Sequence, residues 1–84
     1  MVRGRVHGVF YRAGCRDQAL ARGVAGWVRN RRDGTVEAVF EGGPAAVEAL
    51  RRWCLRGPAG ARVSGIDVFD EPVEGLSGFI IEPR

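Results

Sequence analysis

Lysine is absent: all thirteen basic residues of this 84-residue chain are arginine. That excludes lysine Schiff-base chemistry and a P-loop, whose lysine reaches the bound phosphates. Histidine occurs once, at His7, and cysteine twice, at Cys15 and Cys54, too few and too far apart for a metal site. There is no HExxH, paired-cysteine or Walker pattern, and Ser64 and Ser77 lack the context of a nucleophile elbow. No apolar run approaches the ~20 residues that span a bilayer. Met1-Val2-Arg3-Gly4-Arg5 leads into strand-like sequence rather than a secretion signal. A cytoplasmic protein without membrane contact is expected. In a reducing compartment, two buried free thiols are favoured over a disulfide.

Repeats, linkers and low-complexity segments are also missing, so one domain over residues 1–84 is expected. With 45% hydrophobic and 27% charged residues the composition is that of an ordinary soluble globular protein. The net charge is +3. Guanidinium groups suit anionic ligands because their fork binds phosphate bidentately, although a generic arginine-rich surface accounts for most of them. Charge alone does not argue for a nucleic-acid partner.

Residues 2–6 alternate apolar side chains with Arg and Gly, a strand pattern that His7-Gly8-Val9-Phe10 breaks with a turn. Over residues 11–22 the period becomes helical, with Tyr11, Cys15 and Ala19 on one face and Gly23 as a C-terminal stop. Strands are predicted over 24–29 and 35–40, joined by the hairpin signal Asp33-Gly34. Gly42-Gly43-Pro44 opens a second helix, with Pro near its first turn and an apolar stripe of Val47, Leu50, Trp53 and Cys54. Arg56-Gly57-Pro58 ends it, and strands follow over 62–69 and 78–82. Glu37 and Glu41 fall on the third strand, where a solvated face is expected.

The order β-α-β-β-α-β, with a short extra C-terminal strand, predicts an α+β fold. Its form is a ferredoxin-like α/β sandwich: a mixed, mostly antiparallel sheet with two helices on one face. In that layout strands one and two run parallel, and their C-terminal ends share one edge.

Two segments meet at that edge. In Gly4-x-Val6-His7-Gly8-Val9-x-Tyr11-Arg12 a strand enters a tight loop that feeds a helix N-terminus. Free backbone N–H groups and the helix dipole make such a junction an anion nest, and Arg12 can add one full charge. The competing account is a plain strand–turn–helix join with Arg12 exposed. In Gly26-Trp27-Val28-Arg29-Asn30-x-x-x-Gly34-x-Val36, followed by Gly42, Asn30 is the only asparagine of the chain. Its carboxamide can orient a water toward a bound phosphorus, or it can simply start the hairpin.

Together these segments resemble the two signatures of the acylphosphatase family. The second matches at Gly26, Trp27, Val28, Arg29, Asn30, Gly34, Val36 and Gly42. The first matches at Val2, Gly4, Val6, Gly8, Val9 and Arg12, and departs at His7, usually Gln, and Tyr11, usually Phe or Met. Gly57-Pro58, Ala61-Arg62-Val63 and Gly75-x-x-Gly78-Phe79 extend the likeness over nearly the whole chain. Family members usually carry several residues before the first signature, so strand one reads as clipped.

The resemblance implies metal-independent hydrolysis of acyl phosphates to carboxylate and inorganic phosphate, with no cofactor. It implies that Arg12 and the backbone amides of His7, Gly8, Val9, Phe10, Tyr11 and Arg12 hold the phosphate. Asn30 would position the attacking water. Inorganic phosphate would be both product and competitive inhibitor, and the protein a monomer.

Two other readings compete. An RNA-recognition module shares the β-α-β-β-α-β order but stacks bases on aromatics of strands one and three. Here those strands read Val-Arg-Gly-Arg-Val and Thr-Val-Glu-Ala-Val-Phe, with no RNP1-like run, so no nucleic-acid partner is expected. An accessory domain, as in hydrogenase-maturation proteins that act on carbamoyl phosphate, would bring downstream zinc-finger or transferase sequence that this chain lacks.

Overall fold

A computed structural model of the chain describes residues 2–5, 10–67 and 75–82. Its elements are β1 (Val2–Arg5), α1 (Tyr11–Ala21), β2 (Ala25–Asn30), β3 (Val36–Glu41), α2 (Pro44–Arg56), β4 (Arg62–Ile66) and β5 (Phe79–Ile81). One five-stranded sheet runs in the order β4-β1-β3-β2-β5, antiparallel except for the β2–β5 pair. β1 and β2 both pair antiparallel with β3 and so run parallel to each other, as the sequence pattern predicts.

Side-chain alternation on the strands divides the sheet into two faces. Directly opposed residues share a face, so Asn30 stands with its partner Val36, and Val28 with Ala38. Val36 also pairs with Val2. Val2, Val28 and Val36 are buried and meet Tyr11, Cys15 and Ala19 of α1 and Leu50 and Cys54 of α2 in one core. Each fully buried aliphatic side chain there contributes about 1.5–3 kcal/mol. The opposite face carries Trp27, Arg29, Glu37 and the exposed Ile80.

The helix ends are set by local chemistry. Arg22 caps α1, and Gly23 beyond it takes φ +67°, a conformation that costs an L side chain but not glycine. The N–H groups of Gly23 and Val24 then reach the carbonyls of Leu20 and Ala19, a Schellman closure that turns the chain directly into β2. Pro44 occupies the first turn of α2 behind Gly43. Gly26 has φ +146°, and a Cβ there would lie 1.8 Å from the Val39 carbonyl oxygen. Only glycine lets β2 and β3 approach so closely.

Two boundaries differ from the sequence pattern. β4 runs over Arg62–Ile66, with Ile66 opposite Val2, and Asp67 is outside it, so it ends before the predicted residue 69. Phe69 and Val68 lie outside the described residues. The hairpin strands are each shifted by one, so that Asn30 closes β2 opposite Val36. Residues 31–35 form the turn. It is held by Arg31 N–H to the Thr35 carbonyl, Gly34 N–H to the Arg31 carbonyl, and Thr35 N–H and Oγ1 to Asp33 Oδ1.

Candidate functional site

α1 begins where β1 delivers the chain and ends at the tight turn into β2. Eleven helical residues rise about 16 Å, and the six residues of β2 span about 20 Å, enough to return along the helix. The helix packs on the core face of the sheet and β2 runs back beneath it. Its first turn, with Arg12, therefore lies at the end of the sheet where Asn30 closes β2. Asn30 is on the face that the helix covers, by its pairing with the buried Val36.

Arg12 is partly buried in that first turn. The other partly buried arginines whose side chains are described, Arg16, Arg29, Arg31 and Arg51, each make an ion pair. Arg12 makes none among the described residues. The fully exposed position of the competing account is thus not what the fold gives it. No acidic residue occupies the first turn of α1, and the N-cap Phe10 supplies no side-chain hydrogen bond. Among the described residues no side chain caps the first N–H groups or the positive dipole end of this helix.

Asn30 presents a complementary deficit. Its Oδ1 is buried and accepts no hydrogen bond among the described residues. A buried, unsatisfied amide oxygen costs about 1–3 kcal/mol. The hairpin itself does not use it, since the turn is held by Arg31, Asp33, Gly34 and Thr35.

Tyr11 anchors the turn between them. It is fully buried, its ring centroid lies 5.2 Å from that of Trp53, and its Oη donates a 2.7 Å hydrogen bond to the Cys54 carbonyl. Burial above all, with the neighbouring Cys54, pushes the phenol well above its usual pKa. Cys15 and Cys54 are both buried and unbridged. A hydrogen bond with Cys54, then burial, raises the Cys15 thiol far above the ordinary range.

Phe10 and Tyr11, whose amides were expected to contribute, stand at the N-cap and first position of α1. His7, Gly8 and Val9 lie outside the described residues. Phe10 has φ 60° and ψ 27°, the left-handed region. For a bulky residue that conformation costs about 1–3 kcal/mol.

Glu37 and Glu41 stand on the sheet face opposite the core, part-exposed and hydrogen-bonded there. Glu37 Oε1 accepts from Arg29 at 2.6 Å and from Arg31 at 3.1 Å, and Arg29 also lies 5.2 Å above the Trp27 ring. Glu41 Oε1 accepts the Leu76 N–H at 2.9 Å. Arg29 and Glu37 stand four residues either side of Asp33, and hairpin symmetry about that turn is the signal that finds the pair. Desolvation pushes the Glu37 carboxyl up, but hydrogen bonds from Arg29 and Arg31 outweigh it and hold the pKa below the usual carboxylate value. These groups brace the strands on either side of Asn30 and sit on the face opposite the core.

No group of three or more His, Cys, Asp or Glu side chains is arranged to hold a metal among the described residues. No described helix is long and apolar enough to cross a membrane.

A family model described as acylphosphatase matches residues 1–81. An acylphosphatase of Synechococcus sp. is 58% identical over 82 residues, covering 98% of this chain and 87% of that protein. One of Pelotomaculum thermopropionicum is 55% identical, covering 96% and 89%. Among solved structures, the crystal structure of acylphosphatase from Bacillus subtilis superposes with a TM-score of 0.93 at 36% identity, over 98% of this chain and 92% of that one.

Proposed function

This chain belongs to the acylphosphatase family and hydrolyses acyl phosphates, and we propose that it does so with Arg12 and the loop amides as phosphate grip and Asn30 as holder of the water. The single observation that carries the assignment is the pair of unmet groups at one end of the sheet. Arg12 is a partly buried guanidinium without an ion pair among the described residues, and Asn30 is a carboxamide whose buried Oδ1 accepts nothing there. The first lacks an anion and the second lacks a proton donor. An acyl phosphate dianion and a water supply both.

The reaction asks for little more. The leaving group is a carboxylate whose conjugate acid has a pKa of about 4, so it departs without a general acid. A loose, metaphosphate-like transition state demands little of the nucleophile, so no strong base is required. Water, hydrogen-bonded through one O–H to Asn30 Oδ1 and keeping that proton, forms the new O–P bond as the P–O bond to the acyl group breaks. The other proton passes to a phosphate oxygen, and the carboxylate leaves with the bonding pair. What the protein supplies is position and charge: N–H dipoles at the helix N-terminus, with those of His7, Gly8, Val9, Phe10, Tyr11 and Arg12, and one guanidinium. Such a set works without a metal. Inorganic phosphate, which shares the grip, inhibits competitively.

The domain extends over residues 1–84 and acts as a monomer in the cytoplasm, where its unbridged thiols fit a reducing compartment. The deciding experiment is phosphate release from benzoyl phosphate in EDTA. Wild type is expected to turn over, Arg12→Ala to lose turnover and phosphate inhibition together, and Asn30→Ala to lose turnover while still binding phosphate. Near-normal turnover by Arg12→Ala overturns the phosphate site, and inhibition by EDTA overturns the metal-free chemistry.

A further inference from the structure

Phe10 is unfavourable for folding in three separate ways. Among the described residues it is the one non-glycine with positive φ, where a Cβ is crowded; Gly escapes that clash and Asn offsets it by local hydrogen bonding, but Phe does neither. It occupies an N-cap, a position that favours Ser, Thr, Asp or Asn because their side chains accept from the free helix N–H groups; a phenyl ring accepts nothing. Nor does it gain by packing. Its 82% exposure exceeds that of the other exposed large apolar residues described, Leu20, Leu55 and Ile80, at 55%, 47% and 56%. Outliers of this kind concentrate where a ligand is held.

Its position says which part of a ligand. Phe10 directly precedes the first turn of α1 and stands two residues before Arg12. An acyl phosphate has two unlike ends, a dianionic phosphoryl head and a carbon tail. With the head at Arg12 and the helix N-terminus, the tail leaves the pocket past the residue that opens the helix. An exposed aromatic ring at that rim is suited to cover an apolar tail and has nothing to offer a charged one. Resting on the assignment of Arg12 as phosphate grip, we propose that Phe10 is a specificity-determining residue whose ring receives the acyl group. The preferred substrates are then acyl phosphates with an aromatic or bulky apolar acyl moiety rather than acetyl or carbamoyl phosphate.

The test compares kcat/KM for benzoyl phosphate and acetyl phosphate in wild type, Phe10→Gly, Phe10→Asn and Phe10→Tyr. Gly and Asn accept the positive φ and keep the backbone N–H, so they remove the ring without forcing the loop. The benzoyl-to-acetyl ratio is expected to fall about 3- to 10-fold in both, a range set by one lost aromatic contact, with the change in KM for benzoyl phosphate. Phe10→Tyr is expected to keep the ratio. A ratio unchanged in Phe10→Gly and Phe10→Asn, with both substrates still hydrolysed, overturns the role of Phe10 and leaves the phosphate site standing. Hydrolysis of neither substrate by wild type overturns both.

Discussion

The Tyr11 phenol donates a 2.7 Å hydrogen bond to the main-chain carbonyl of Cys54. That bond ties the first turn of α1 to the last turn of α2, across the core. The Cys54 carbonyl belongs to the end of a helix, where the last four carbonyls lack intrahelical partners. One bond therefore satisfies an orphan acceptor of one helix and fixes the turn that carries Arg12 on the other.

Removing only the hydroxyl isolates its contribution. Tyr11→Phe keeps the ring against Trp53 but leaves the Cys54 carbonyl buried and unpaired, which is expected to cost about 1–2 kcal/mol. Urea denaturation measures it, as a lowered midpoint at unchanged slope. An unchanged midpoint would show that the bond contributes nothing net.

The Glu37 carboxylate is expected to make stability depend on acid. Its folded pKa lies below the unfolded 4.5, because hydrogen bonds from Arg29 and Arg31 outweigh desolvation. Its contribution is thus present above 4.5 and is lost as pH falls through the folded value. Glu37→Gln is expected to be about 1 kcal/mol less stable than wild type near neutrality, with the gap closing below about pH 4. Thermal melts of both proteins across that range check it, and a gap that stays constant would assign the loss to packing instead of charge.

How much of this was legible without coordinates follows from the range of each interaction. α1 and α2 could be read because their apolar stripes, the Gly23 stop and Pro44 are local signals. The parallel relation of β1 and β2 followed from element order alone. Arg12 and Asn30 stood out as motif positions. The Glu37 pair with Arg29 needs the hairpin register, which the spacing about Asp33 supplies, whereas the Tyr11 bond to Cys54 depends on a contact across the core, which no local pattern encodes. The strained exposure of Phe10 is likewise a property of backbone angles, since the residue type alone suggests burial.

Alkaline conditions probe the core through Cys15. Its thiol, held protonated by the hydrogen bond with Cys54 and by burial, titrates in the folded state far above the unfolded value of 9.0. The stability linked to it is complete below 9.0 and declines above, as the unfolded chain sheds a proton that the folded one keeps. Above pH 9 wild type is expected to lose stability more steeply than Cys15→Ala through this thiol, with Cys54, which the same hydrogen bond shifts downward, offsetting part of the loss. Parallel decline of the two in urea titrations at each pH would mean that the thiol does not titrate so high.

Asn30 separates function from folding most sharply. Ordinary buried polar groups stabilise a protein through the bonds they make, but Asn30 Oδ1 is buried without one among the described residues. Replacing it by Ala removes an unsatisfied acceptor, so Asn30→Ala is expected to melt at or slightly above the wild-type temperature. Turnover of benzoyl phosphate is expected to fall by roughly 100-fold or more, the scale seen when one oriented polar group is removed from a reacting centre. Calorimetry and phosphate release on the same preparations decide the matter. If the variant loses stability in step with activity, Asn30 is a structural residue of β2; if it gains stability while losing turnover, the fold is carrying an unpaired carboxamide for the sake of the water it aims.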